Sequence, residues 1–170
     1  MTINTERFMR EQDFIVSKTD LTGRIQYGNE TFIEFSGYEE KELLGQPQNI
    51  IRHSDMPRLI FKLLWDHITI DKEIFAFVKN RSKDGGFYWV FAQVVPTFNR
   101  QQQKIGYTSV RRMPNPKAIP RISELYEKML MAERQANAGE EIAASSAVLN
   151  EFLTKNNISY DFLVTMLQAR

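Results

Sequence analysis

The spacing of apolar positions changes character several times along the chain. Residues 14–19, Phe-Ile-Val-Ser-Lys-Thr, are rich in β-formers, and Arg24-Ile25-Gln26-Tyr27 alternates with a period of two. Two short strands are expected there, with Asp20-Leu21-Thr22-Gly23 as the turn between them. From Asn29 the period lengthens. Residues 30–35 read as a short helix stopped by Gly37, and residues 39–44 as another helical turn ending at Gly45. Leu59, Ile60, Leu63, Leu64 and Ile68 recur at helical spacing, which predicts a longer helix running to about Ile70, with Asp55 placed before Pro57 to cap it. Past Asp71 the pattern returns to strands over 74–79, 88–95 and 104–111, joined by a turn at Asp84-Gly85-Gly86 and a polar tip at 99–103. Strands joined by hairpins imply an antiparallel sheet, so the fold class is α+β.

Met113-Pro114-Asn115-Pro116 breaks the sheet pattern. Beyond it, Pro120 opens a helix with Ile122, Leu125, Met129, Ala132, Glu133 and Ala136 on one stripe, Gly139 interrupts, and 140–153 and 159–167 read as two more short amphipathic helices. The chain thus divides into a sensor-sized unit over 1–118 and a helical extension over 119–170. The extension is too small for a strong core of its own, so it must dock on the sheet, on another subunit or on a partner.

Composition removes several chemistries. There is no cysteine among the 170 residues, which excludes disulfides, thiolate metal sites and cysteine nucleophiles, and two histidines cannot build a three-histidine zinc site. The net charge of +1 gives no global attraction to nucleic acid, but it hides a basic middle: residues 71–121 carry 10 basic against 3 acidic side chains. The plainest reading of that stretch is a solvated sheet face; a phosphate or an acidic partner is the alternative. Met1-Thr2-Ile3-Asn4-Thr5-Glu6-Arg7 has neither the basic nor the apolar stretch of a signal peptide, and no apolar run reaches the roughly 18–20 residues of a membrane span. A cytoplasmic protein without a direct membrane span is expected. With no nucleophile–base set visible, an enzyme is not.

One set of motifs resembles a known family. It comprises Thr19-Asp20, Ile25-Gln26-Tyr27-Gly28-Asn29-Glu30-Thr31-Phe32, Ser36-Gly37-Tyr38, Glu42-Leu43-Leu44-Gly45-Gln46-Pro47 and Ile51-Arg52-His53-Ser54-Asp55-Met56-Pro57. Lys79-Asn80-Arg81, Lys83-Asp84-Gly85, Tyr88-Trp89-Val90 and Gly106-Tyr107 complete it. Over about residues 10–113 it is similar to the FAD-binding PAS domain of bacterial aerotaxis receptors. The resemblance implies a five-stranded antiparallel sheet with short helices crossing one face and a cofactor between them. The pocket would be lined by Asn29, the 52–56 loop, the 57–70 helix and the starts of the third and fourth strands. It also implies that Arg52, His53 and Asp55 hold FAD.

A flavin needs apolar walls, amides to match its ring edge and a cation where electron density grows on reduction. Phe61, Trp65, Phe75 and Trp89 are available as walls, Asn29 and Asn80 as amides, and Arg52, His53, Lys79 and Arg81 as cations, with Tyr88 beside Trp89 in the same motif. Each residue also has a plainer reading: Asp55 as a helix cap, His53 as a structural histidine, both tryptophans as core, Lys79 and Arg81 as charges guarding a strand edge. Ile74-Phe75 stands where the family often has tryptophan. Without cysteine, the cysteinyl–flavin adduct of LOV photosensors cannot form. The family's usual membrane anchor and chemoreceptor coil are not in the sequence, so a sensor without a complete receptor is expected. The function implied is a redox or oxygen sensor that passes the flavin state to a chemoreceptor or other transducer, alone or as a homodimer. A cofactor-free interaction module and a sensor of heme (through His53) or a small metabolite are the alternatives.

Overall fold

The computed structural model describes residues 4–169; Met1 to Ile3, part of the N-terminal segment read above, and Arg170 lie outside the described residues. Five strands, β1 Phe14–Thr19, β2 Ile25–Gly28, β3 Ile74–Arg81, β4 Phe87–Phe98 and β5 Lys104–Arg112, form one antiparallel sheet in the order β2-β1-β5-β4-β3. Between β2 and β3 run α1 Glu30–Ser36, α2 Glu40–Leu43, a 3-10 turn over Gln48–Ile51 and α3 Arg58–Ile68. After the sheet come α4 Ile119–Gln135, α5 Glu141–Asn156 and α6 Tyr160–Gln168.

Local chemistry explains most boundaries. The Asn29 side chain caps α1 by accepting the Phe32 N–H, and Gly37 ends it at a φ of 71°, a left-handed conformation that glycine adopts without strain. Glu39 and Glu42 close a reciprocal capping box on α2. Pro120 lies in the first turn of α4, where its missing N–H costs nothing.

Period-two alternation sorts the sheet into two faces. Ser17, Val78, Asn80, Ala92, Val94, Ser109 and Arg111 look toward α3 and the 3-10 turn, while Phe75, Phe77, Trp89 and Phe91 look the other way. Five successive residues of β4, Tyr88 to Ala92, are buried, because both faces are covered there. The expectation of a solvated face therefore fails. The extension docks on the sheet: Ile122, Leu125, Tyr126 and Met129 of α4 and Leu163, Val164 and Leu167 of α6 share one apolar cluster with Phe77, Trp89 and Phe91. Three basic side chains of this stretch pair with carboxylates at the rim: Lys79 with Asp55, Lys83 with Glu42 and Lys104 with Asp71.

Candidate functional site

A cavity of about 300 Å³ lies between α3 and the inner face of the sheet. Phe61, Leu64, Trp65 and Ile68, one stripe of α3, form one wall; Val78, Ala92 and Val94 form the other. One end is wet: Trp65 is 39% exposed and meets Tyr107 edge to face, with ring centroids 5.5 Å apart, beside the turn at Thr22 and Gly23. The other end is dry, for Asn80 and Arg111 are each 3% exposed. Among the described residues, no histidine, lysine or carboxylate lines the cavity.

The dry end holds buried polar atoms. Among the described residues, Asn80 Nδ2, Arg111 Nε and the hydroxyl of Tyr88 are buried without a well-formed hydrogen bond; Asn80 and Tyr88 stand opposite each other across the β3–β4 pair, where the amide bears on the phenol. Buried donors are nearly always paired, so each such atom asks what it is for. Arg111 projects inward from β5, donates through Nη2 to Ser17 Oγ and lies over the Phe32 ring at 4.9 Å. Ser17 Oγ donates onward to Gln48 Oε1 at 3.2 Å. No carboxylate among the described residues pairs with Arg111. Burial pulls its guanidinium down to about 10 and pushes the Tyr88 phenol up to about 12, so at neutral pH Arg111 stays charged and Tyr88 stays neutral. Arg52 stands at the side of the cavity with its guanidinium 4.1 Å from the centre of the Phe61 ring, a cation–π contact. Burial lowers its pKa, opposed by the negative charge of Glu133. Apolar walls with an unpaired N–H at the closed end fit a flat ring that carries acceptors on one edge.

The model of the PAS fold matches residues 25–111. The chain belongs to the PAS fold family. The PAS domain is 38% identical over 115 residues to the aerotaxis receptor of Escherichia coli (strain K12), covering 68% of this chain and 22% of the receptor. It is 29% identical over 97 residues to the nitrogen fixation regulatory protein of Klebsiella pneumoniae, covering 57% of this chain and 20% of that protein. The chain thus spans about a fifth of the length of these relatives. Among solved structures, the light state of the blue-light photoreceptor Aureochrome1 LOV superposes with a TM-score of 0.55 at 18% identity, covering 74% of this chain and 93% of that one. A light-oxygen-voltage domain studied with a flavin analogue gives 0.57 at 16% identity, covering 69% and 88%. At these identities the structures establish the fold alone.

Within the PAS domain the residues singled out from sequence divide into three groups. Arg52, Phe61, Trp65 and Asn80 line the cavity together. A second group gathers beside it. His53 packs edge-on against Phe87, with centroids 5.8 Å apart, and its Nδ1 accepts the Asp55 N–H at 3.1 Å. Asp55 pairs with Lys79 at 2.7 Å, and the Lys79 ammonium sits 4.3 Å from the centre of the Phe87 ring. Burial, then the Lys79 charge, lowers the His53 pKa. Burial would raise the Asp55 carboxyl, but the hydrogen bond and charge of Lys79 outweigh it and the net direction is down. His53 does not line the cavity, which removes the geometry that a heme ligand there requires.

The third group does not line the cavity. Asn29 is spent on structure: Oδ1 accepts from Val16 N–H and Phe32 N–H, both at 3.0 Å, and Nδ2 donates to the Phe14 carbonyl at 2.8 Å. Trp89 lies on the outer face against Tyr126 of α4, and Phe75 stacks on Phe91 on that same face. Tyr88 faces inward and packs edge-on against Phe35, 5.3 Å away. The strands reach the cavity through the end of β3 and the middle of β4, not through their starts. Asp55 is not a helix cap. Pro57 holds the N-cap position of α3, and the first N–H groups of the helix, those of Arg58 and Leu59, donate to the Glu133 carboxylate at 3.1 and 3.3 Å. Arg111 is the site residue that sequence reasoning missed. The signal was a charge at an inward position of the 104–111 alternation, in step with Ser109.

Proposed function

We propose that this PAS domain binds FAD with the flavin ring in the α3 cavity, and that the redox state of the flavin is the signal it gives a partner in aerotaxis or chemotaxis. The observation that carries this reading is the cavity itself: aromatic and aliphatic walls close on a dry end where Arg111 Nε has no partner. Its volume is at the small end of ligand sites, which run from about 300 to 1,000 Å³. It has room for a ring system, and the rest of a dinucleotide would lie past Trp65 toward solvent. The resemblance to an aerotaxis receptor, and the shared fold with a domain studied with a flavin analogue, support the same reading.

Bound there, FAD supplies reversible electron uptake, with a change of charge and protonation on the ring. The chain's residues do the rest. Phe61 and Trp65 would wall one side of the ring, and Val78 and Ala92 the other. The Asn80 amide offers either a donor or an acceptor, depending on which way it is turned. Arg52 adds a cation at the side of the ring. Among the described residues, those that line the cavity are apolar, neutral or cationic, a lining suited to holding a ring. The signal leaves through the helices docked on the sheet to a cytoplasmic transducer.

Purified protein is expected to be yellow and to bleach with dithionite, and mass spectrometry of the released compound is expected to give FAD. A folded, colourless protein that takes up no added FAD overturns the reading.

A further inference from the structure

We propose that Arg111 is the anchor of the cavity's ligand and sets its class: a ring that enters with an electron-rich, carbonyl-bearing edge foremost and is held more tightly when reduced. The inference rests on the ring-binding reading above and goes further by assigning a residue and a selectivity.

A buried cation is expensive unless a carboxylate or a full set of hydrogen bonds compensates it. Arg111 has neither. One guanidinium nitrogen donates to Ser17, one face covers Phe32, and Nε has no partner. Its cross-strand neighbours are Ile15 on β1 and Ala92 on β4, both apolar. Every other inward position in that part of the sheet is small, apolar or neutral. The remaining positive charge is therefore directed at the cavity that Arg111 lines. Asn80, whose amide can present either its N–H or its carbonyl, lines the same dry end. A guanidinium with an unpaired N–H beside that amide selects a guest that brings acceptors there. A guest whose edge gains electron density gains more from the guanidinium than one that does not, so the cation favours the reduced ring over the oxidised one. Among the described residues no carboxylate lines the cavity to cancel it, and Arg52 adds a second positive charge at its side.

The first test uses the wild-type chain stripped of ligand. Riboflavin, whose ring edge carries carbonyls, is expected to raise the unfolding temperature; phenazine, a tricycle of similar outline without them, is not. Equal stabilisation by both overturns the inference and leaves the cavity merely apolar. Stabilisation by neither overturns the ring-binding reading along with it. The second test compares Arg111→Met and Arg111→Lys, with circular dichroism to establish that each is folded. With FAD bound, Arg111→Met is expected to lose about tenfold in its preference for the reduced flavin, a midpoint potential about 30 mV lower for a two-electron couple. Arg111→Lys is expected to recover most of the loss. A folded Arg111→Met protein that holds FAD at the wild-type potential overturns the inference while leaving FAD binding intact. Should Arg111→Met not fold, the riboflavin and phenazine comparison decides alone.

Discussion

Glu133 sits on the apolar stripe of α4 and is only 7% exposed. Its carboxylate is matched to two backbone donors that α3 cannot satisfy itself, because the first turn of any helix leaves its N–H groups free. Removing it strands both in a buried place. Glu133→Ala is expected to cost about 1–2 kcal/mol in urea unfolding, and Glu133→Gln, which keeps one acceptor oxygen, distinctly less. No local pattern reveals this cap, since it arrives from 75 positions away in the chain. Asp55 before Pro57 looked right because caps are usually local; Lys79 claimed its carboxylate instead. A second residue-scale effect concerns acid. The folded His53 ring resists protonation relative to its ordinary value near 6.5, so the unfolded chain binds more protons in the window just below that value. Stability is full above pH 6.5 and is lost as pH falls through the lower pKa of the folded ring. His53→Gln is expected to flatten that part of a plot of urea midpoint against pH.

At the scale of elements, β3 is an edge strand, and three of its outward backbone groups are met by side chains. Tyr160 of α6 donates to the Phe75 carbonyl at 3.1 Å, Tyr126 of α4 donates to the Phe77 carbonyl at 2.7 Å, and the Lys79 N–H meets Met56 Sδ at 3.2 Å. An open edge is a template for pairing with another chain, and this one is closed by side chains of the extension. The double substitution Tyr126→Phe/Tyr160→Phe leaves two carbonyls bare. It is expected to cost about 1–3 kcal/mol and to increase self-association, read by urea unfolding and by light scattering. Gly106 marks another fixed point: a Cβ there would stand 1.9 Å from the Thr19 carbonyl oxygen of β1. Gly106→Ala is expected to destabilise by about 2 kcal/mol or more in the same assay. All five strands and every helix were legible from period and punctuation, and residues 14–19 coincide with β1 at both ends. The third strand extends through Asn80 and Arg81, which no propensity marks as strand, because they pair with Tyr88 and Phe87 across the hairpin. The site was half legible. Arg52, Phe61, Trp65 and Asn80 share a cavity, whereas Trp89 and Phe75 look away because parity along a strand decides the face and the motif does not state it.

For the whole molecule, ligand and stability are linked. A guest that binds only the folded state adds RT ln(1 + [L]/Kd), about 2.7 kcal/mol at a hundredfold excess over Kd. FAD added to stripped protein is expected to raise the unfolding temperature and to slow amide exchange in α3. It is expected to slow exchange at the N–H groups of Arg58 and Leu59 as well, if the far end of that helix is held as described. One route for a shift runs through the sheet to α4, which packs on its outer face. A shorter route exists. The wall that a guest leans on and the rod that leaves the sensor are pinned to each other by a single carboxylate. Any rocking of α3 would therefore be felt first as tension or slack on α4, while the pleated scaffold behind it stays still.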